Sequence, residues 1–199
     1  KTTIGVEVGK FVEIRSHKYT IIGLDCLLKE KAWRTVREKL ATGEALTEKD
    51  REYLGDDTES IEPQKSYYAE TDFWYEDRVI ALLKEIQEFI ESGRERHTLI
   101  INDAYLRGET PDRGVKTFEL EKGMVIMVEG KYAFDQALVN YYDFTYRIND
   151  NPDRTKAKFE MRTRSAHPSH ADRQMAFYDI GLIPSYEQYA ERTRENVDY

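Results

Sequence analysis

The sequence predicts an α/β fold with a mainly parallel central sheet, and three observations carry that expectation. Short apolar runs ending in a carboxylate occur at YTIIGLD (19–25) and MVIMVEG (124–130). A long amphipathic pattern lies between them, with Val79, Ile80, Leu82, Leu83, Ile86, Phe89 and Ile90 at helical spacing. Strand-like and helix-like segments alternate along the chain, the arrangement that buries a parallel sheet under helices.

Segment 1–18 is evenly poised. Val8, Phe11, Val12 and Arg15 recur at helical spacing, Ile4, Val6 and Val8 alternate like a strand, and Gly5 and Gly9 each weaken a helix by about 1 kcal/mol. YTIIGLD reads as a buried parallel strand. Residues 29–54 are charged and helical in pattern, with Thr47 and Asp50 marking a helix start. Residues 55–66 form a polar loop; 76–92 form the long helix, stopped by Gly93. Strands are expected at 98–102, 124–130 and 142–149, with a turn at 107–114. MVIMVEG is the segment expected to be the driest. A basic helix covers 153–165, a loop with Pro168 covers 166–173, and a last helix covers 184–196 with Pro184 in its first turn.

At 199 residues the chain has enough length for one domain with a sizeable core. A formal net charge of −8 argues against general nucleic-acid binding, because an acidic surface repels phosphate backbones. One cysteine, Cys26, excludes an internal disulfide and fits a reducing compartment, so a cytoplasmic location is expected. No apolar run reaches the length of a membrane span. Self-association is left open.

Four constellations can carry chemistry. Lys1-Thr2-Thr3 matches the last positions of a phosphate-binding loop, where a lysine reaches the terminal phosphates and a hydroxyl meets Mg²⁺; taken alone, three residues read far more readily as a chance KTT. Asp25 ends a strand, where α/β sheets bind ligands and where a carboxylate can accept a proton; it also reads as a cap of the following helix. Glu129 ends the driest strand, a place for a carboxylate that supports Mg²⁺ through water; it also reads as an edge acid in a turn made by Gly130. From 153 to 173, six Arg or Lys against three acids make a local net charge of +3. Lys158 and Arg162 share one helix face there and can clamp phosphoryl oxygens, or can simply be solvated. His167 and His170 lack further ligands nearby, so no zinc is expected.

The order of these pieces resembles the uridine kinase and phosphoribulokinase family of P-loop kinases. VIMVEGKYAF (125–134) looks like its Walker B segment, INDNPDRTKAKFEMRTR (148–164) like the start of its lid helix, and YEQYAERTRENVDY (186–199) like its tail. The resemblance implies a three-layer P-loop NTPase fold with a helical lid at 153–173, one domain over 1–199, and glycines of the loop upstream of Lys1. It implies a kinase that moves the γ-phosphoryl group of ATP to a hydroxyl of a small acceptor, a nucleoside or sugar, with Mg²⁺. Lys1, Thr2 and Thr3 would hold the nucleotide and Thr2 and Glu129 the metal. Asp25 would act as base, and Lys158 and Arg162 would close over the phosphates.

Two departures fall on acceptor recognition. Cys26-Leu27-Leu28 follow Asp25 where the family has an aromatic and a tyrosine. Asn102-Asp103-Ala104-Tyr105-Leu106-Arg107 lacks the family's histidine. Asp103, Tyr75 and Tyr105, with Tyr68 and Phe73, are the candidates for the acceptor pocket, ordinary packing being the competing reading of the aromatics. Residues 30–66 match nothing in the family pattern. Two rivals stand beside the nucleoside kinase. One is a phosphoribulokinase-like sugar or sugar-phosphate kinase, which a basic acceptor pocket would favour. The other is a non-catalytic nucleotide-binding scaffold.

Overall fold

The structure, a computed structural model, describes residues 2–15, 17–29, 31–54, 75–106, 111–130, 133–148, 151–166 and 168–198. The fold is mixed α/β, and the chain divides into two compact units. The first comprises Lys1–Lys29, Phe73–Tyr146 and Glu195–Tyr199; the second comprises Glu30–Asp72 and Arg147–Arg194.

In the first unit, Thr2–Ile14 form helix α1 and Tyr19–Gly23 form strand β1, so the even choice at the start resolves to helix. Gly9 explains why a glycine is tolerated mid-helix: a Cβ there would lie 2.1 Å from the Tyr19 ring, so the missing side chain lets the helix sit on the strand. After β1 the chain tightens into a 3-10 turn, Leu24–Leu27. Helix α4 (Glu76–Ser92) buries Val79, Leu82, Leu83, Ile86 and Phe89 and stops at Gly93, whose φ of 66° suits glycine. That stripe joins Ile22, Leu99, Ile101 and Leu120 in one apolar cluster. Each large side chain fully buried there contributes about 1.5–3 kcal/mol.

Of the expected mainly parallel sheet, the described strands show one parallel pair beside an antiparallel hairpin. Strand β4 (Val125–Glu129) pairs in parallel with β1, from Tyr19 opposite Val125 to Gly23 opposite Glu129. Strands β2 (Arg96–Tyr105) and β3 (Arg113–Glu121) pair antiparallel, with a bulge between Ile101 and Ala104. The 107–114 turn is therefore a hairpin connection whose last residues already belong to β3; residues 107–110 lie outside the described residues.

Two expectations are corrected. The VIMVE strand is not the driest: none of its residues is fully buried and Val125 is 37% exposed, whereas Ile22 and Leu99 are 0% exposed. Among the described strands it has a partner on one side only. The strand expected at 142–149 is not a strand over the described 142–148. Its polar groups are met by the chain's end instead: Thr145 N–H donates to the Asp198 carboxylate at 2.6 Å, and Thr145 Oγ1 donates to the Asn196 carbonyl at 2.8 Å.

The second unit is helical among its described residues. It contains α2 (Lys31–Thr42), α3 (Glu48–Leu54), α5 (Pro152–Ala166), α6 (Ala171–Phe177) and α7 (Ile183–Arg192). The helix start read at Thr47 and Asp50 is a reciprocal cap. Thr47 N–H donates to Asp50 Oδ2 at 2.8 Å, and Asp50 N–H donates to Thr47 Oγ1 at 3.2 Å. The expected loop at 166–173 is shorter than its composition suggests, because Pro168–His170 form a 3-10 turn and α6 starts at Ala171. A wider π turn, Tyr178–Leu182, links α6 to α7 directly before Pro184. Proline cannot donate the helical hydrogen bond, and the wider turn accommodates its ring. The loop expected at 55–66 lies outside the described residues. Among the described residues no helix is long and apolar enough to cross a membrane.

Candidate active site

The site is built at the carboxyl ends of β1 and β4. Their parallel register sets Gly23 opposite Glu129, and Asp25 follows two residues later on the 3-10 turn. Two candidate carboxylates thus leave the same edge of one strand pair, where open α/β sheets bind ligands. Asp25 is exposed and Glu129 half-buried. Glu129 leans toward its neighbour strand: its Oε1 lies 3.5 Å from where a Cβ on Gly23 would stand.

Helix α1 packs on both strands and is joined to β1 by only four residues, 15–18. The chain therefore reverses, and the start of α1 faces the same way as the carboxyl end of β1. Its first turn carries no acid. Unpaired N–H groups at a helix start favour anions. Lys1 and the side chains of Thr2 and Thr3 lie outside the described residues.

The turn that carries Asp25 is tied to the other candidates. Tyr75 N–H donates to the Leu27 carbonyl at 3.1 Å, and the Tyr75 ring lies 5.2 Å from the Arg78 guanidinium. Arg78 donates to the Asn102 carbonyl and stands 3.5 Å from the Asp103 carboxylate. Arg113 bridges the same region, with Nη1 donating to the Asp103 carbonyl at 3.0 Å and Nη2 to the Leu28 carbonyl at 2.6 Å. Asp103 sits in the β2 bulge with φ 51°, a left-handed conformation that costs a non-glycine residue about 1–3 kcal/mol. Tyr105 lies on the same strand, half-buried and opposite Arg113. Asp25, Tyr75, Asp103 and Tyr105 are thus gathered in the first unit, while Tyr68 and Phe73 lie outside the described residues.

Cys26, next to Asp25, is buried, and burial pushes its thiol up; Lys116 acts in the opposite direction. A buried neutral thiol is a packing group rather than a nucleophile.

Lys158 and Arg162 belong to the second unit, both exposed on α5, with the Arg162 guanidinium 5.6 Å from the Phe159 ring. His167 lies outside the described residues, and among the described residues no group of three His, Cys, Asp or Glu could hold a metal ion. Mg²⁺ takes oxygen donors and is held by one or two carboxylates plus substrate phosphates. Glu129 supplies a donor of that kind at the sheet edge.

Arg78, Arg113 and the bulge were not singled out from sequence. RGETPDRG marks a turn, and nothing local shows that Arg113 reaches Leu28, which lies 85 positions away. The chain matches no protein-family model and no curated protein.

Proposed function

We propose that this chain is an ATP-dependent phosphotransferase with a small hydroxyl acceptor, of the P-loop kinase type. The observation that carries the reading is the β1–β4 pairing, which sends Asp25 and Glu129 off one carboxyl edge. A three-layer P-loop arrangement with α5 as lid is the fold that this reading entails.

The acceptor hydroxyl gives its proton to the Asp25 carboxylate as its oxygen bonds to the γ-phosphorus. The bond from that phosphorus to the β–γ bridging oxygen breaks, and its electron pair leaves with ADP. Lys1, Thr2 and Thr3 would hold the nucleotide, and Thr2 and Glu129 the metal. When bound, Mg²⁺ neutralises charge developing on the phosphoryl oxygens. Lys158 and Arg162, exposed on α5, are the cations that the reading assigns to the lid. Tyr75, Asp103 and Tyr105 would face the acceptor.

A second reading concerns the acceptor. Arg78 and Arg113 stand around the Asp25 turn, and Lys116 acts electrostatically on the adjacent Cys26. A phosphorylated sugar would have to compete with the Asp103 carboxylate for Arg78, so the acceptor class is decided by assay. Product formation from ATP and Mg²⁺ should be followed over nucleosides, sugars and sugar phosphates, in the intact protein and in Asp25→Asn. Turnover lost in the variant supports the reading. Tight ATP binding without turnover on any acceptor would make the protein a nucleotide-binding scaffold instead.

A further inference from the structure

We infer that Arg113 is a positioning residue for Asp25, an inference that rests on the phosphotransferase reading. Asp25 stands exposed on a four-residue 3-10 turn, a tight geometry with poor internal hydrogen bonds. Its aim depends on what holds the far end of the turn. Two donors do so: Tyr75 N–H on the Leu27 carbonyl and Arg113 Nη2 on the Leu28 carbonyl. The first is main chain and is present whatever the side chain. The second comes from a half-buried guanidinium that crosses from β3.

The other arm of Arg113 explains why this residue is an arginine. Nη1 holds the carbonyl of Asp103, the residue kept in a left-handed conformation inside β2. One rigid fork therefore sets the separation between the turn bearing Asp25 and the strained bulge bearing Asp103. A lysine offers a single point charge on a flexible stem and cannot hold both carbonyls in that fixed relation. Strain of this kind persists only where surrounding contacts over-determine it, and it clusters at functional sites. The geometry thus links the base to the acceptor-facing bulge through Arg113, although Arg113 itself touches neither reacting atom.

The test is steady-state kinetics on Arg113→Lys and Arg113→Gln in the whole protein, beside Asp25→Asn, with melting curves for each. Misplacing a reacting group by about 1 Å costs roughly 100-fold in rate. We expect kcat to fall roughly 10- to 100-fold in both Arg113 variants, with KM for ATP unchanged and Gln the more affected. Added guanidinium should restore part of kcat in Arg113→Ala. A kcat within twofold of the intact protein in Arg113→Lys, while Asp25→Asn collapses, overturns the positioning role and leaves the kinase reading standing. A chain that folds with neither Lys nor Gln at 113 makes Arg113 a structural residue and also overturns it. No turnover in the unmodified protein overturns the phosphotransferase reading instead.

Discussion

Gly23 and Glu129 face each other across the parallel β1–β4 pair, and a Cβ on Gly23 would stand 3.5 Å from Glu129 Oε1. The carboxylate therefore lies over the adjacent strand's end, close to the turn that carries Asp25. Glu129→Gln keeps the size of the side chain and removes its charge. A metal-supporting charge is worth several kcal/mol in the transition state. Turnover should fall roughly 100-fold or more by that measure, with the melting temperature little changed because the residue is only half-buried. A Mg²⁺ titration decides it: unchanged kcat at saturating metal rejects the role.

Asp25→Asn tests the base. The substitution keeps shape and one acceptor oxygen but removes the group proposed to take the proton. Loss of a general base costs roughly 100-fold or more in turnover. ATP binding, read by calorimetry, should stay near normal. Turnover within a few-fold of the unmodified chain would leave Asp25 as a residue of the turn only, with Asp103 the next carboxylate to test.

What could be read from sequence was mostly what neighbouring residues decide. Thr47 and Asp50 cap each other three residues apart, and Gly93 ends a helix whose apolar stripe is visible in Val79 to Phe89. β1 and β4 were legible as apolar runs, but their exposure was not, since burial depends on what covers them. β3 was hidden because it begins within a segment of turn-forming residues. Phe144, Tyr146 and Ile148 alternate like a strand, yet Thr145 finds its partners at Asn196 and Asp198, about 50 positions on. The site follows the same division. Asp25 and Glu129 were singled out at the ends of apolar runs, whereas the Arg113–Leu28 contact is one that no local pattern encodes.

The α5 cations need a test that separates clamp from surface. Arg162 is exposed and its one aromatic neighbour in the described structure is Phe159. An exposed contact of that kind is worth about 0.5–1 kcal/mol, so Arg162→Ala should lower stability by no more. If Arg162 closes over the phosphates, kcat falls by a larger factor than this stability change implies. Normal turnover in both Lys158→Ala and Arg162→Ala makes this face a solvated one.

Acid should loosen the second unit at a defined place. Lys39 Nζ lies 2.6 Å from Asp50 Oδ2, and both side chains are largely covered. The Lys39 ammonium first, and then the Thr47 hydroxyl and N–H, hold the Asp50 carboxyl down at about 2. An unperturbed aspartate titrates near about 3.9. The folded value lies below the unfolded one, so as pH falls the unfolded chain takes up its proton first. The stabilisation is fully present above the unfolded value and disappears between about pH 4 and pH 2. Asp50→Asn should therefore melt below the unmodified chain near neutral pH, and the gap should narrow across that acid window. Thr47→Ala removes one cap hydrogen bond directly and should cost about 1 kcal/mol. Melting curves of the three proteins as a function of pH check both statements. A gap between Asp50→Asn and the unmodified chain that stays constant down to pH 2 would mean that the Lys39–Asp50 contact does not hold in solution.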